Sequence, residues 1–287
     1  MKDQIISKLI DNIDKTNKNK SSYWKKHMDL KSNFLNEYEN LNFGSFTKKS
    51  SKNIIFNFLS KIIFGKKIFN SDTFKKYKSV FDEMNRFVDA DTIRHIFIFE
   101  KIRKILNPAK ICLIGDGKIN GILGAHLTFP KAKIYSVNLS ETLINDYLII
   151  KKLNLNLKNS ISLVENIDSP DSEKTLHIIP ANLKNFLLKK KIDLFINVAS
   201  FQEMKFEEVK KYFEIVKNNK AILYCCNREY KKLYDGEELY FDKYPWSNCR
   251  KIFWEDCPWH KKYYSLRPPF IHNYDGRVKH CLVDFSN

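Results

Sequence analysis

From residue 110 onward the chain alternates between two textures, and this alternation limits its fold more than any other feature. "KICLI" (110–114) precedes a helix beginning near 119, and "KIYSVNL" (133–139) precedes "ETLINDYLIIKKL". "KTLHII" (174–179) is a further strand; "IDLFINVAS" (192–200) precedes "KFEEVKKYFEIVKN" and then "KAILYCCN" (220–227). Helical spacing puts Leu143, Ile144, Tyr147 and Leu148 on one face of the second helix. It does the same for Phe206, Val209, Tyr212, Phe213 and Val216 in the third. Short β-rich runs separated by amphipathic helices predict a mostly parallel α/β sheet, doubly wound, with helices on both sides. "RVKHCLVDF" (277–285) alternates and reads as an edge strand.

Residues 1–108 have a different character. Ile5, Ile6, Leu9, Ile10 and Ile13 share a helical face, as do Ile93, Ile96, Phe97, Ile102, Ile105 and Leu106 before Pro108, and the only glycines are Gly44 and Gly65. A helical N-terminal cap over 1–108 ahead of an α/β domain over 109–287 is expected.

The longest apolar run, "IIFNFLSKIIF" (54–64), is too short to span a bilayer, which takes about twenty residues. "MKDQIISKLIDNIDK" carries acids within its apolar run and lacks a small-residue cleavage site, so a cytoplasmic protein without a membrane span is expected. The net charge of +17 invites a nucleic-acid partner. The lysines, however, are scattered in twos and threes with no Arg-rich stripe, as on a solvated surface or one that attracts a small anion. An RNA-binding or RNA-methylating role is therefore the alternative reading. Nothing in the sequence bears on oligomeric state.

None of the six cysteines has a partner two residues away, the spacing of zinc hooks and redox pairs. Cys257 and His260 in "CPWH" can join Cys249 and His280 around a metal, but with no second close pair beside them no metal is expected.

Gly115, Gly117 and Gly121 follow the first strand directly, where a doubly wound sheet brings its backbone close to a ligand. A dinucleotide fingerprint has its third glycine three places after the second; here that place is Asn120. The Asp116 charge opposes a pyrophosphate at a helix N-terminus, and the Gly-Lys-Ser/Thr of a phosphate-binding loop is missing. These facts disfavour a nicotinamide or flavin dinucleotide and a dehydrogenase-like protein. S-adenosylmethionine fits better, because its sulfonium and ammonium tolerate Asp116 and its carboxylate suits a helix N-terminus. The end of the second strand is where ribose hydroxyls are held. Asn138 stands there, followed by Leu139, and Pro180 and Ala181 follow the third strand. All four are expected at the cofactor.

The chain also resembles the bacterial sugar O-methyltransferases, class I enzymes dependent on S-adenosylmethionine. The likeness covers about 100–250 and rests on "LIGDGKINGILG", "SVNLSETL", "IDLFINVASFQEM", "YCCNREYK" and "YPW", with a weaker echo in "SSYW" (21–24). Leu113 stands where such enzymes often have an acid, and Asn138 replaces their usual Asp. The resemblance implies a Rossmann-like sheet of about seven strands under a helical cap, and methyl transfer to a hydroxyl of a sugar, nucleotide sugar, glycan or surface-polysaccharide precursor.

In that topology the tip of the fourth strand faces the reactive methyl, which makes Glu203, Ser200 and Gln202 the catalytic candidates, with Glu203 as base or acceptor-orienting carboxylate. The competing role for Glu203 is to cap the helix near Lys205. His95 and His260 are alternative bases. Asn197 is placed at the cofactor, and Asn227 and Arg228 at the acceptor, with Arg228 suited to a phosphate or carboxylate. Tyr23 and Trp24 can close over the site or simply pack the cap. "YPW" (244–246) can be a wall for a sugar ring or core. An RNA methyltransferase acting on base amines would carry an Asn-Pro-Pro-Tyr-like element after the fourth strand, and none is present.

Overall fold

The computed structural model describes residues 3–17, 20–29, 52–117 and 119–286. The part of the helical expectation that falls on 30–51 lies outside these residues. Among the described residues seven helices come first: α1 (Gln4–Asp11), α2 (Ile13–Asn17), α3 (Ser22–Asp29), α4 (Lys52–Phe64), α5 (Lys66–Phe69), α6 (Asp72–Glu83) and α7 (Ala90–Ile102). Then follow β1 (Lys110–Ile114), α8 (Asn120–Thr128), β2 (Lys133–Asn138), α9 (Ser140–Lys152), β3 (Ile161–Leu163) and β4 (Leu176–Pro180). The chain continues through β5 (Leu194–Val198), α10 (Phe206–Asn218) and β6 (Ile222–Arg228). It closes with β7 (Tyr230–Lys232), β8 (Glu238–Tyr240), β9 (Arg250–Asp256), β10 (Lys262–Tyr264), β11 (Ile271–Asn273) and β12 (Val278–Asp284).

Eight strands form the main sheet in the order β3-β4-β2-β1-β5-β6-β12-β9. From β3 to β6 every pairing is parallel. The chain steps outward from β1 to β2 and to β3 at the edge, places β4 between those two, then crosses to β1's other side for β5 and β6, so the order reverses between β2 and β5. This is a Rossmann-like doubly wound sheet, and its switch point lies at the carboxyl end of β1. β12 is antiparallel to both neighbours and lies between β6 and β9. The edge-strand expectation for 277–285 is thereby corrected: Val278 and every residue from His280 to Asp284 are buried, so both faces of β12 are covered.

Alternation along the strands builds two cores. Ile111, Leu113, Ile134, Ile178, Ile196 and Cys226 face one way, into the cluster that also holds Leu9, Tyr77 and Phe99 from the N-terminal helices. Cys112, Ile114, Val137, Phe195 and Cys225 face the other way, toward α10 and the Tyr244 aromatic group. The adjacent Cys225 and Cys226 therefore point to opposite faces. Fully burying one such aliphatic side chain is worth about 1.5–3 kcal/mol, so the N-terminal helices share the core of the sheet they cover.

The helix starts follow ordinary capping chemistry: Ser71 accepts the Phe74 N–H, and Asp89 accepts the Thr92 N–H. α7 stops at Ile102, and Ile105 is exposed rather than continuing the apolar face. Gly124 lets α8 approach α7 closely, since a Cβ there would stand 2.0 Å from the Phe99 ring. Among the described residues no helix is long and apolar enough to cross a membrane.

Candidate functional site

The turn after β1 determines the shape of the site. Gly115 has φ +77°, and a Cβ built on it would lie 1.8 Å from Ser200 Oγ. Both the backbone region and the contact require glycine. Its N–H donates to Val137 O (2.9 Å), tying the turn to β2. Asp116 then bends back, and its Oδ2 accepts the Ile122 N–H at 2.8 Å. The positive end of α8 is thus already occupied by a protein carboxylate, which excludes a pyrophosphate there and also takes the place expected for a cofactor carboxylate. Behind the loop, burial and then the Asp116 charge push the Asp146 carboxyl well above the usual range. The Tyr77 hydroxyl donates to Asn120 O, and the Thr92 hydroxyl to Asn120 Oδ1, which fixes the start of α8 to α6 and α7.

A cavity of about 460 Å³ opens over this turn, within the usual range for a small-molecule site. Its walls include Gly115, Asp116 and Gly117 from the turn after β1, Gly121 from α8, and Ser200 and Glu203 from the loop after β5, with Tyr23 and Trp24 from the cap. An adjoining cavity of about 60 Å³, bounded by Asn138, Leu139, Ala181, Asn182 and Met204, shares Trp24, Ser200 and Glu203 with the first. Pro180 ends β4 beside Asn138 without lining either cavity.

Three buried polar atoms on these walls have no hydrogen-bond partner among the described residues: Asn138 Nδ2, Asn182 Oδ1 and Glu141 Oε2. Leaving such a group unpaired costs about 1–3 kcal/mol. Asn138 Oδ1 accepts its neighbour Leu139's N–H (2.8 Å), which aims the amide. Glu141 and Asn182 were not singled out from the sequence; Glu141's signal was its place three residues after Asn138, in the first turn of α9.

The tip of β5 divides the remaining candidates. Asn197 is fully buried; its Nδ2 donates to Ile114 O (3.0 Å), and its Oδ1 accepts from Phe201 N (3.1 Å) and Asn227 Nδ2 (2.8 Å). Asn227 Oδ1 accepts from Gln202 N (3.2 Å), and Gln202 Oε1 accepts from Arg228 N (2.6 Å). Asn197 and Asn227 lie outside both cavity walls, where their side chains brace the loops after β5 and β6. Gln202 reaches the large cavity with its carbonyl already engaged. Asn197→Ala removes three hydrogen bonds at this junction and is expected to lower stability by about 2–3 kcal/mol. A shift in denaturant midpoint at unchanged slope measures this, and an unshifted midpoint contradicts the brace.

Ser200 and Glu203 remain at the wall of both cavities. Ala199, just before them, holds φ +56°, a strained conformation that turns the chain into the cavity. The Phe206 N–H at the start of α10 donates to Glu237 Oε1 (2.8 Å), so Glu237 serves the helix end that the capping alternative assigned to Glu203. Burial, followed by the Glu203 charge and hydrogen bond, raises the Tyr23 phenol pKa, so the phenol stays protonated and donates to Glu203. Arg228 is held by the Asp275 carbonyl and carboxylate and lines the large cavity.

The cap is latched to this rim residue by residue. Lys20 forms a buried ion pair with Glu141, and Ser21 Oγ donates to Glu203 O. Asp235 N donates to Ser22 Oγ (3.1 Å), and Tyr23 stacks on Tyr234 with ring centroids 5.9 Å apart. Tyr244 and Trp246 pack with Phe201, Phe213 and Phe241, which makes "YPW" core.

His95 and His260 also line the large cavity. Burial and the nearby Arg94 charge lower the His260 imidazole to about 3, too weak for a base at neutral pH. Of the four groups proposed around a metal, Cys257 and His260 meet, with Sγ and Nδ1 3.0 Å apart. Cys249 lies among the aromatics of the opposite face, and His280 is bonded to Tyr224 and Glu255. Cys226 joins the pair instead.

No model of a known protein family matches this sequence, and no curated protein sequence matches it. Among solved structures, the chain is similar to cofactor-bound Rv0187 from MTB, with 9% identity, covering 84% of this chain and 100% of that one, at a TM-score of 0.43. It is similar to the SAH-bound methyltransferase PaMTH1 of Podospora anserina, with 15% identity over 64% of this chain and 73% of that one, at 0.38. It is also similar to the 16S rRNA methylase ArmA, with 10% identity over 79% and 96%, at 0.39. Scores this low leave the fold to be read from its own strand order and the ligand from the cavity.

Proposed function

We propose that the protein is an S-adenosylmethionine-dependent O-methyltransferase acting on a hydroxyl of a sugar or sugar-containing small molecule. The observation that carries this reading is the ring of unpaired buried groups, Asn138 Nδ2, Asn182 Oδ1 and Glu141 Oε2, around paired cavities at the switch point. Asn138 and Glu141 suit ribose hydroxyls, Asn182 Oδ1 accepts from an exocyclic amine, and Asp116 attracts the ammonium and sulfonium. Its carboxylate at the α8 N-terminus disfavours a dinucleotide for the same reason it favours a cation.

Bound here, S-adenosylmethionine would supply the methyl group to the acceptor oxygen, its carbon–sulfur bond breaking with the electron pair left on sulfur and S-adenosylhomocysteine leaving. Glu203 takes the hydroxyl proton. Holding nucleophile and methyl in line accounts for about 7–11 kcal/mol of such a barrier. Arg228 and Lys231 on the large cavity wall favour an anionic acceptor, such as a nucleotide sugar.

Asn138→Ala is expected to weaken S-adenosylhomocysteine about threefold to tenfold, the value of one neutral hydrogen bond, and Glu141→Gln tenfold or more. Calorimetric titration measures both, and thermal unfolding without ligand separates the loss of the Lys20 pairing from binding. Unchanged affinity in both variants removes these groups from the cofactor site. A labelled-methyl screen over nucleotide sugars, glycan fragments and RNA tests the acceptor class; label in RNA alone would overturn the sugar assignment.

A further inference from the structure

Cys226 and the pair Cys257 and His260 come from two places in the sequence and meet on one face of the sheet. Cys226 lies on β6, and Cys257 and His260 follow β9, beside the strand that pairs with β6. Their ligand atoms all lie within 4.8 Å of one another, with His260 Nδ1 3.0 Å from Cys257 Sγ and 3.9 Å from Cys226 Sγ. All three residues are at most 8% exposed. A tetrahedral zinc ion with metal–sulfur bonds near 2.3 Å and metal–nitrogen bonds near 2.0–2.1 Å sets its ligand atoms about 3.5–3.8 Å apart. Closing the observed triangle onto such an ion takes adjustments of about an ångström or less.

We infer that these three side chains form a zinc site at the wall of the large cavity. Two thiolates and an imidazole are the donor set that selects zinc over the hard divalent cations. Two thiolates also neutralise the ion, so the buried site gains no net charge. The surroundings supply the outer partners such sites use. The Tyr224 hydroxyl lies on the same strand face as Cys226 and 3.1 Å from His280 Nδ1. His280 Nε2 reaches Glu255 Oε1 at 3.1 Å, and Lys101 pairs with that carboxylate at the surface. Binding releases the two thiol protons. Among the described residues no fourth His, Cys, Asp or Glu joins the cluster. The remaining position falls to water or to an atom of a cavity ligand, the arrangement of zinc sites that keep an open place. His260, on the cavity wall, connects the two sites.

The site is tested without cofactor or acceptor, so its outcome is independent of the methyl-transfer reading. The full-length protein is stripped with a chelator and titrated with Co²⁺, then with Zn²⁺. One equivalent of Co²⁺ should produce the thiolate-to-metal charge-transfer band and strong visible bands of a tetrahedral thiolate site, and one equivalent of Zn²⁺ should abolish them. Cys226→Ser and Cys257→Ser should each weaken binding at least tenfold, while Cys249→Ser, on the opposite face, should leave it unchanged. The wild-type band decides the matter even where a variant fails to fold. No charge-transfer band with stoichiometric Co²⁺, or a band that persists in both serine variants, overturns the site and leaves a thiol–imidazole hydrogen bond in its place.

Discussion

Gly115→Ala is expected to lower stability by about 2–5 kcal/mol and to abolish measurable S-adenosylhomocysteine binding. Two separate costs combine. A residue with a Cβ at φ +77° loses about 1–2 kcal/mol to backbone strain. The new methyl would also stand 1.8 Å from Ser200 Oγ and 2.5 Å from its Cβ, an overpacking worth about 1–3 kcal/mol. Neither atom can yield cheaply, because Ser200 follows the already strained Ala199 and Phe201 is tied to Asn197. Relief therefore moves the glycine turn or the β5 tip, and both form the cavity wall. Ser200→Gly in the Gly115→Ala background should recover the steric part and leave the backbone part. Chemical denaturation of the four proteins resolves the two costs; equal stability of Gly115→Ala and the parent contradicts this packing.

Glu203→Gln is expected to reduce turnover about 10²-fold or more while changing S-adenosylhomocysteine affinity less than threefold. A positioned base contributes about 10²–10⁴-fold to such a transfer, and glutamine keeps the side chain's volume and its acceptor toward Tyr23 while losing the basic carboxylate. Single-turnover methyl transfer beside calorimetry makes the separation. Full activity in Glu203→Gln ends its role as base. A parallel loss of rate and affinity makes it a positioning residue that acts through the Tyr23 latch.

The winding of the sheet was legible because two periodicities coincide with it. "KICLI" and "LFINV" read as buried strands, and α10 after the second shows one apolar face, while α8 after the first is buried all round. β12 misled because alternation in "RVKHCLVDF" suggests a strand with one covered face at the sheet's margin, whereas β6 and β9 pair with both its edges and both its faces are buried. At the site, glycine spacing and strand ends pointed to Gly115, Asp116 and Asn138, since local backbone geometry decides them. Asn197 and Asn227 are polar residues at strand tips like Asn138, and only the pairing of β5 with β6 turns them toward each other instead of the cavity. Glu141 and Cys226 were missed because each meets its partners through contacts remote in sequence: Lys20 lies 121 residues from Glu141, and His260 lies 34 from Cys226.

The central claim is that the cavity over the β1 turn holds a sulfonium cofactor rather than a dinucleotide. Calorimetric titration of the intact protein with S-adenosylhomocysteine and, separately, with NADH tests it most directly. The predicted result is one saturable site for S-adenosylhomocysteine, lost in Gly115→Ala, with no heat of binding for NADH. Tight binding of NADH, with none of S-adenosylhomocysteine, would contradict the claim.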